Sequence, residues 1–210
     1  SDPYGTAILV TPQSTLKDAS SLKGKSIATN RGSIGHYVTL KALEAVGLTA
    51  DDVQIKFIPP ADAKLALTQG AVDAWATWEP YTALAETSKH ARVLVSGRGL
   101  SSGLSFLVAT ESALQNKRVV LQDFKARVER AQVWSYQRPA EFGAALARVI
   151  GIPEEAARLQ FERRATRWLP IDAQVVADQQ RTADFYLKVG LVKQKLDVSK
   201  TFDSQFAGVA

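Results

Sequence analysis

Strand and helix patterns alternate at short intervals through the first half of the sequence, and this alternation restricts the fold more than any other feature. Short apolar or alternating segments predict strands, and apolar residues three and four apart predict a helix after most of them. The predicted strands are TAILV, SIAT, DVQIKF, VDAWATW and RVLVS. Strands separated by single helices form βαβ units, so we expect an α/β fold with a mostly parallel sheet covered on both faces.

After LSFLVAT, residues 104–110, the pattern changes to helices alone. The predicted helices are VVLQDFKARVERAQVWSYQ, PAEFGAALARVIG, PEEAARLQFERR and DAQVVADQQRTADFYLKVG. The last helix is expected to have Asp172 as its N-cap and to end at Gly190. Helices with an apolar face and no strands of their own need another surface to cover. The sequence therefore predicts two lobes, one of them incomplete.

The composition excludes several classes of protein. With 210 residues, of which 46% are apolar and 22% charged, the chain can bury one large core or two modest ones. No segment approaches the roughly 18 consecutive apolar residues of a membrane-spanning helix. The sequence has no cysteine and 2 histidines, which leaves no thiolate nucleophile, no cysteine-based zinc site and too few histidines for a histidine-rich metal centre. We expect neither a metal nor a cofactor.

The charge of the chain favours a small anionic ligand over nucleic acid. The net charge is +5, from 26 basic and 21 acidic residues, and it is spread along the sequence. One basic cluster stands out, FERRATR at residues 161–167. It is predicted to be a solvated helix end, because cations interact favourably with the C-terminal end of a helix dipole.

Two unusual turns follow two of the predicted strands. NRGSIGH comes after SIAT, and WEPY comes after the strand at residues 74–77. Ligands bind beyond the carboxyl ends of the strands in an open parallel sheet, so both turns are expected to open on one edge. Ser33 would lie at a helix N-terminus, where free N–H groups and the dipole favour an anion. Gly32 and Gly35 would let the backbone approach a ligand closely.

Three residues of the first turn also have purely structural interpretations. Ser33 is equally well explained as the N-cap of the helix, and the two roles are compatible. His36 is interpreted first as a histidine on the helix surface, with ligand contact as the alternative. Arg31 is either a solvated loop charge or a partner for a carboxylate or an anionic ligand.

The second turn supplies an aromatic ring and a carboxylate. Trp75 is predicted to lie in the core, whereas Trp78, at the exit of the strand, is placed to form an apolar wall of a pocket. Glu79 would repel an anion unless it pairs with Arg31 or meets a cationic group on a zwitterionic ligand.

No catalytic constellation is recognisable in the sequence. It contains no nucleophile elbow, zincin helix motif or phosphate-binding loop. Gln179 and Gln180 fall on the apolar stripe of the last helix, where a hydrogen bond to the backbone is favoured over ligand contact. We therefore predict a protein without catalytic residues.

Three separate blocks of the sequence carry a family resemblance: SLKGKSIATNRGSIGHYVTLKALEAVGL, IPPADAKLALTQGAVDAWATWEPY and VVADQQRTADFYLKVGLVKQKLDV. Together they resemble the solute-binding proteins of ABC importers for aliphatic sulfonates, a group with relatives for taurine, nitrate and thiamine-pyrimidine precursors. The resemblance implies a type II periplasmic binding protein fold, in which two lobes close on a small ligand like a Venus flytrap.

The resemblance also implies a function, a location and partners. The protein would be periplasmic, or extracellular and membrane-associated, and would deliver an aliphatic sulfonate or related small organic anion to the permease subunits of an ABC transporter. We also expect a monomer that binds no nucleic acid. Mapping the family motif onto this sequence, together with the analysis of the first turn, gives this predicted ligand-binding set: Arg31, Gly32, Ser33, Gly35, His36, Trp78 and Glu79.

The chain departs from the family pattern in two ways. Ile34 stands where an asparagine is frequent, and Asn30 and Arg31 stand where a glycine and a lysine are common. Members of the family also carry a further segment before GTAILV, so the N-terminal part of the first lobe is expected to be missing from this chain. Residues 11–104 would form the complete second lobe, and residues 1–10 and 105–210 the returning part of the first.

Other functions fit the same fold. One is an enzyme resembling the sulfinate-cleaving desulfinases, whose cysteine nucleophile would have to lie outside these 210 residues. A ligand-sensing regulator domain would need a fused helix-turn-helix. Within the transport family, nitrate or a pyrimidine precursor is the alternative ligand.

Overall fold

The computed structural model describes residues 3–164, 166–203 and 206, and the chain divides into two units. The first unit comprises Ser1–Gly103 and Arg138–Ala165. The second comprises Leu104–Gln137 and Thr166–Ala210.

A mixed sheet forms the centre of the first unit. Its strands are β1 (Ala7–Val10), β2 (Ser26–Thr29), β3 (Gln54–Phe57), β4 (Ala74–Thr77) and β5 (Arg92–Ser96). Their order across the sheet is β3-β2-β4-β1-β5. β2 pairs in parallel with β3 and β4, whereas β1 is antiparallel to β4 and β5. All five predicted strands are confirmed, and the sheet is mixed because β1 runs against its neighbours.

Helices pack on both faces of this sheet, as the alternating pattern predicts. They are α1 (Ile34–Ala45), α2 (Pro60–Thr68) and α3 (Tyr81–Thr87). Neighbouring residues of β1 enter different apolar clusters: Ile8 packs with Leu43 of α1, and Leu9 packs with Leu67 of α2. Trp75 belongs to the second cluster and is 1% exposed, which confirms its predicted place in the core.

The ends of α1 follow from local sequence. Ser33 is the N-cap, and its side chain accepts a hydrogen bond from the His36 N–H. Gly47 follows the helix with a φ of 73°, a left-handed conformation that glycine adopts without steric cost. The predicted helix is confirmed, and its first turn is fixed by a side chain from the turn that precedes it.

Two later helices also belong to the first unit. α6 (Pro139–Ile150) and α7 (Glu154–Arg164) pack on each other through Phe142 and Phe161, whose ring centroids lie 4.6 Å apart. α7 also contacts α3.

The two units differ from the lobes expected from the sequence. The expected division placed residues 1–10 with 105–210, but β1 lies inside the sheet between β4 and β5 because it hydrogen-bonds to both. The packing of α7 on α3 likewise brings residues 138–165 into the first unit. The lobe assignment in the whole protein stays a prediction.

The described part of the second unit is helical. It contains α4 (Glu111–Asn116), α5 (Arg118–Gln137) and α8 (Ala173–Lys188). α4 is a short helix that the sequence patterns did not predict. Asp172 caps α8 by accepting the Val175 N–H at 2.9 Å, as predicted. Apolar side chains of α5 are exposed, including Phe124 at 52%, which agrees with the expectation of helices without strands to cover.

Gln180 of α8 binds backbone, as the sequence favoured. Its Nε2 donates to the Leu196 carbonyl at 2.8 Å, and its Oε1 accepts from the Val198 N–H at 3.1 Å. This amide thus holds the segment that follows α8 against the helix.

Gly35 is the position at which a larger side chain would most disturb the packing of α1 on the sheet. A Cβ atom there would lie 2.7 Å from the Ala76 carbonyl oxygen and 3.0 Å from Thr29 Oγ1. We predict that Gly35→Ala lowers the free energy of unfolding by about 1–3 kcal/mol, because the β4 backbone would have to shift. Urea denaturation followed by circular dichroism measures the change.

Gly143→Ala in α6 is the matched control. A Cβ atom at Gly143 would lie 3.7 Å from Arg158 Cβ, an ordinary van der Waals distance. Alanine should therefore raise the free energy of unfolding there by about 0.5–1 kcal/mol, through its higher helix propensity. Equal effects of the two substitutions would contradict the steric explanation.

Candidate functional site

The two turns that the sequence singles out lie at the same edge of the sheet. β2 and β4 are adjacent and parallel, with Ala28 opposite Trp75, so both turns follow carboxyl ends of neighbouring strands. The start of α1 lies directly on β4, since Gly35 packs against the Ala76 carbonyl too closely for a Cβ atom. Thr29 Oγ1 donates to the same carbonyl at 3.1 Å. The structure therefore brings the two turns together.

The Ser33 hydroxyl is engaged within its own turn. Its oxygen accepts from the His36 N–H at 3.2 Å, and its hydroxyl donates to the Asn30 carbonyl at 2.6 Å. The N-cap interpretation of Ser33 is confirmed. The amides of Ile34 and Gly35 open α1 and have no acceptor within the helix, because the first N–H groups of any helix have none. The turn thus offers backbone amides as donors to an anion.

His36 is buried, and the prediction of a surface histidine is wrong. Only 4% of the residue is exposed, because this part of α1 packs against the sheet. Its Nδ1 accepts the Gly32 N–H at 3.2 Å, which assigns the ring proton of a neutral imidazole to Nε2. Burial lowers the pKa of His36, and the nearby Arg31 charge lowers it further. His36 is therefore a neutral side chain with one N–H donor.

Phe57 connects Arg31 and His36, although no sequence pattern marks it as a site residue. The guanidinium carbon of Arg31 lies 4.2 Å from the centroid of the Phe57 ring, and the His36 ring meets the same ring edge-on at 5.0 Å. Phe57 ends β3 opposite Thr29 of β2 and is 40% exposed. In DVQIKF, Phe57 continues an alternating apolar pattern typical of any strand. Its place beside the first turn becomes apparent only from the pairing of β3 with β2.

The second turn presents an aromatic surface. Trp78 is half-buried, and its ring meets Tyr81 edge-on with the centroids 5.9 Å apart. Just before it, Thr77 Oγ1 is buried without a hydrogen-bond partner among the described residues. A buried hydroxyl without a partner is costly, so this is a position at which a further hydrogen bond would be favourable.

Glu79 does not pair with Arg31, contrary to one of the two roles expected for it. Its Oε1 lies 3.5 Å from Nη1 of Arg163, and its Oε2 accepts the Ala83 N–H at 2.9 Å. Burial raises the pKa of Glu79, while the Ala83 amide and Arg163 oppose that rise. Arg163 also binds Glu86 and is only 14% exposed. The prediction of a solvated basic cluster is therefore wrong at Arg163, because α7 packs against α3.

Histidine and carboxylate side chains in residues 3–164, 166–203 and 206 do not gather into a group that could hold a metal ion. In the same part of the chain, every helix is too short or too polar to cross a membrane. The edge of the sheet that carries the two turns, called the candidate edge below, instead offers amides, hydroxyls, a neutral imidazole and aromatic rings. These groups suit non-covalent contact with an anion that carries an apolar part.

The buried state of His36 predicts a pH dependence of stability. Folding lowers its pKa below the usual value of 6.5, so the unfolded chain binds more protons as the pH falls through that range. The stability that neutral His36 contributes is therefore present above pH 6.5 and is lost as the pH falls towards the lowered pKa. We predict that the wild type loses more stability than His36→Gln between about pH 7 and about pH 5. Urea denaturation at each pH measures this, and parallel profiles would contradict it.

Comparisons with known proteins identify relatives of this chain. Residues 10–151 match the model of the NMT1-like family. An aliphatic sulfonates-binding protein of Escherichia coli (strain K12) is 34% identical over 197 residues, which are 93% of this chain and 62% of that protein. This chain is thus considerably shorter than that relative.

Two solved structures are similar to the structure of this chain. The periplasmic aliphatic sulphonate binding protein SsuA from Escherichia coli gives a TM-score of 0.88 at 33% identity, over 96% of this chain and 70% of that chain. The alkanesulfonate-binding protein SsuA from Xanthomonas axonopodis pv. citri, bound to MOPS, gives 0.85 at 30% identity, over 95% of this chain and 69% of that chain. These similarities confirm the predicted α/β fold of periplasmic binding proteins.

The family match covers the part of the chain that carries the candidate edge. Residues 10–151 include β2, α1, β3 and β4, and therefore both turns. Since the match extends over most of the sequence, the chain belongs to the NMT1-like family.

Proposed function

We propose that the protein is the extracytoplasmic substrate-binding component of an ABC importer and binds an aliphatic sulfonate or a related small organic anion. The observation that carries this proposal is the meeting of the α1 N-terminus with the exit of β4, at Gly35 and Ala76. It puts amide donors next to the turn that bears Trp78. The names of the similar Escherichia coli and Xanthomonas proteins, which describe sulfonate binding, support the same ligand class.

The anionic head would bind at the first turn of α1. The amides of Ile34 and Gly35 point out of the helix start, where the helix dipole also favours negative charge. His36 would donate from Nε2, because its Nδ1 already accepts the Gly32 N–H. Ser33 would join by turning its hydroxyl from the Asn30 carbonyl towards the anion. A sulfonate has three oxygens and can accept from several of these donors at once.

The organic part of the ligand would lie against aromatic side chains. Trp78 and Phe57 are partly exposed rings at this edge, and both offer apolar area. Arg31, held on the Phe57 ring, would add a positive charge at the same place. Nitrate has no organic part to cover, so these rings favour an organic anion over nitrate.

Location and partners follow from the proposed role. A binding component of an importer acts outside the cytoplasm, as the word periplasmic in the name of the Escherichia coli structure indicates for that protein. Its partner would be the membrane permease, and one copy of the protein would carry one ligand.

The desulfinase alternative requires a cysteine nucleophile, which these 210 residues do not contain. Relatives at 30% identity or more that are named as binding proteins favour transport over catalysis.

A thermal-shift series on the complete protein tests the ligand class. We expect ethanesulfonate, taurine or MOPS to raise the melting temperature, because a ligand at 100 times its dissociation constant adds about 2.7 kcal/mol to the stability of the folded state. Propionate and nitrate are the matched controls for the head group and the organic part, and each should produce a smaller shift. A shift with nitrate alone would indicate nitrate as the ligand in place of a sulfonate. The absence of a shift with every sulfonate would reject the proposed ligand class.

A further inference from the structure

We propose that Arg163 is a positioning residue of the candidate site. It holds the Glu79 carboxylate towards α3 and offsets the negative charge of that carboxylate, so that an anion can bind nearby. The inference rests on the proposed function and extends it to a residue of α7, outside both turns. Its basis is the ion cluster that joins α7, α3 and the turn after β4.

The cluster consists of two carboxylates and one guanidinium, all largely withdrawn from water. Nη1 of Arg163 lies 2.5 Å from Glu86 Oε2 and 3.5 Å from Glu79 Oε1. The exposed fractions of the side chains are 14% for Arg163, 23% for Glu86 and 11% for Glu79. The guanidinium carbon also lies 5.2 Å from the centroid of the Tyr4 ring. Arg163 is thus fixed from several sides and has two acceptors within reach.

The Glu79 side chain has little freedom to leave this arrangement. Its Oε2 accepts the Ala83 N–H at 2.9 Å, which binds it to the first turn of α3. A Cβ atom added to Gly5 would lie 2.5 Å from Glu79 Cγ, so the backbone of residue 5 already packs closely on this side chain. Thr82 donates to the Gly5 carbonyl at 2.7 Å and holds that backbone in place. Glu79 is therefore oriented towards α3 and Arg163.

The charges of the cluster bear directly on anion binding. Glu79 follows Trp78 in the turn after β4, and the α1 N-terminus lies against Ala76 of that strand. With Arg163 present, the two carboxylates and the guanidinium carry one net negative charge, whereas without it they would carry two. Charges that are partly removed from water are screened less than charges on an open surface. Arg163 therefore reduces the repulsion that an anion would meet at this edge.

Calorimetric titration of the complete protein with ethanesulfonate at about pH 8, well above the usual pKa of a carboxyl group, tests the role of Arg163. We expect Arg163→Gln to weaken binding about fivefold, as two poorly screened carboxylates would repel the anion. The double variant Arg163→Gln with Glu79→Gln should recover the affinity to within about twofold, since the repelling charge is gone. A merely structural role of Arg163 would give no such recovery.

Arg158→Gln is the matched control on the same helix. Arg158 pairs with Glu162 at 3.7 Å, and its side chain is 63% exposed. Removing this solvated charge should leave the affinity unchanged. Circular dichroism verifies that each variant folds. The single variant Glu79→Gln should bind ethanesulfonate at least as tightly as the wild type. Its amide oxygen can still accept the Ala83 N–H.

Several outcomes would overturn the inference. They are an unchanged affinity in Arg163→Gln, a loss that the double variant does not recover, and weaker ethanesulfonate binding by Glu79→Gln alone. A selective loss of taurine binding in Glu79→Gln would show that the carboxylate meets the ligand's ammonium group, which also contradicts the inference. If the wild type binds no sulfonate, the proposed function fails together with the inference. If it binds sulfonate and Arg163→Gln binds equally well, only the inference fails.

Discussion

The contact between the start of α1 and the β4 backbone determines the geometry of the candidate site. Gly35 approaches the Ala76 carbonyl so closely that no side chain fits between them, and Thr29 donates to the same carbonyl. The helix start is therefore fixed relative to the strand that leads to Trp78. Because β2 and β4 are parallel neighbours, the amide donors of one turn and the aromatic surface of the other share one edge.

The electrostatics of this edge follow from how each charge is placed. His36 is kept neutral by burial and accepts a backbone N–H, so the positive character of the turn comes from amides and from Arg31 on the Phe57 ring. The one carboxylate of the second turn, Glu79, is drawn towards Arg163. An acidic residue beside a proposed anion site is thus explained by a basic residue from a distant part of the sequence.

Periodicity and turn chemistry predict most of the fold and a large part of the edge. The five strands, the helix start at Ser33 and the adjacency of the two turns follow from local patterns and the rule for parallel strands. Phe57 was missed because strand order is not encoded locally. The burial of His36 and the pairing of Glu79 with Arg163 were missed for a related reason: both depend on which helix faces pack together, and residues 79 and 163 are far apart in sequence.

The central claim is that a sulfonate binds at the amide end of α1. The most direct measurement is a titration of the 15N-labelled complete protein with ethanesulfonate, followed by amide and indole resonances. We predict that the largest shifts occur at the amides of Ile34 and Gly35 and at the indole N–H of Trp78. Saturable binding with its largest shifts elsewhere, and none at these three groups, would contradict it.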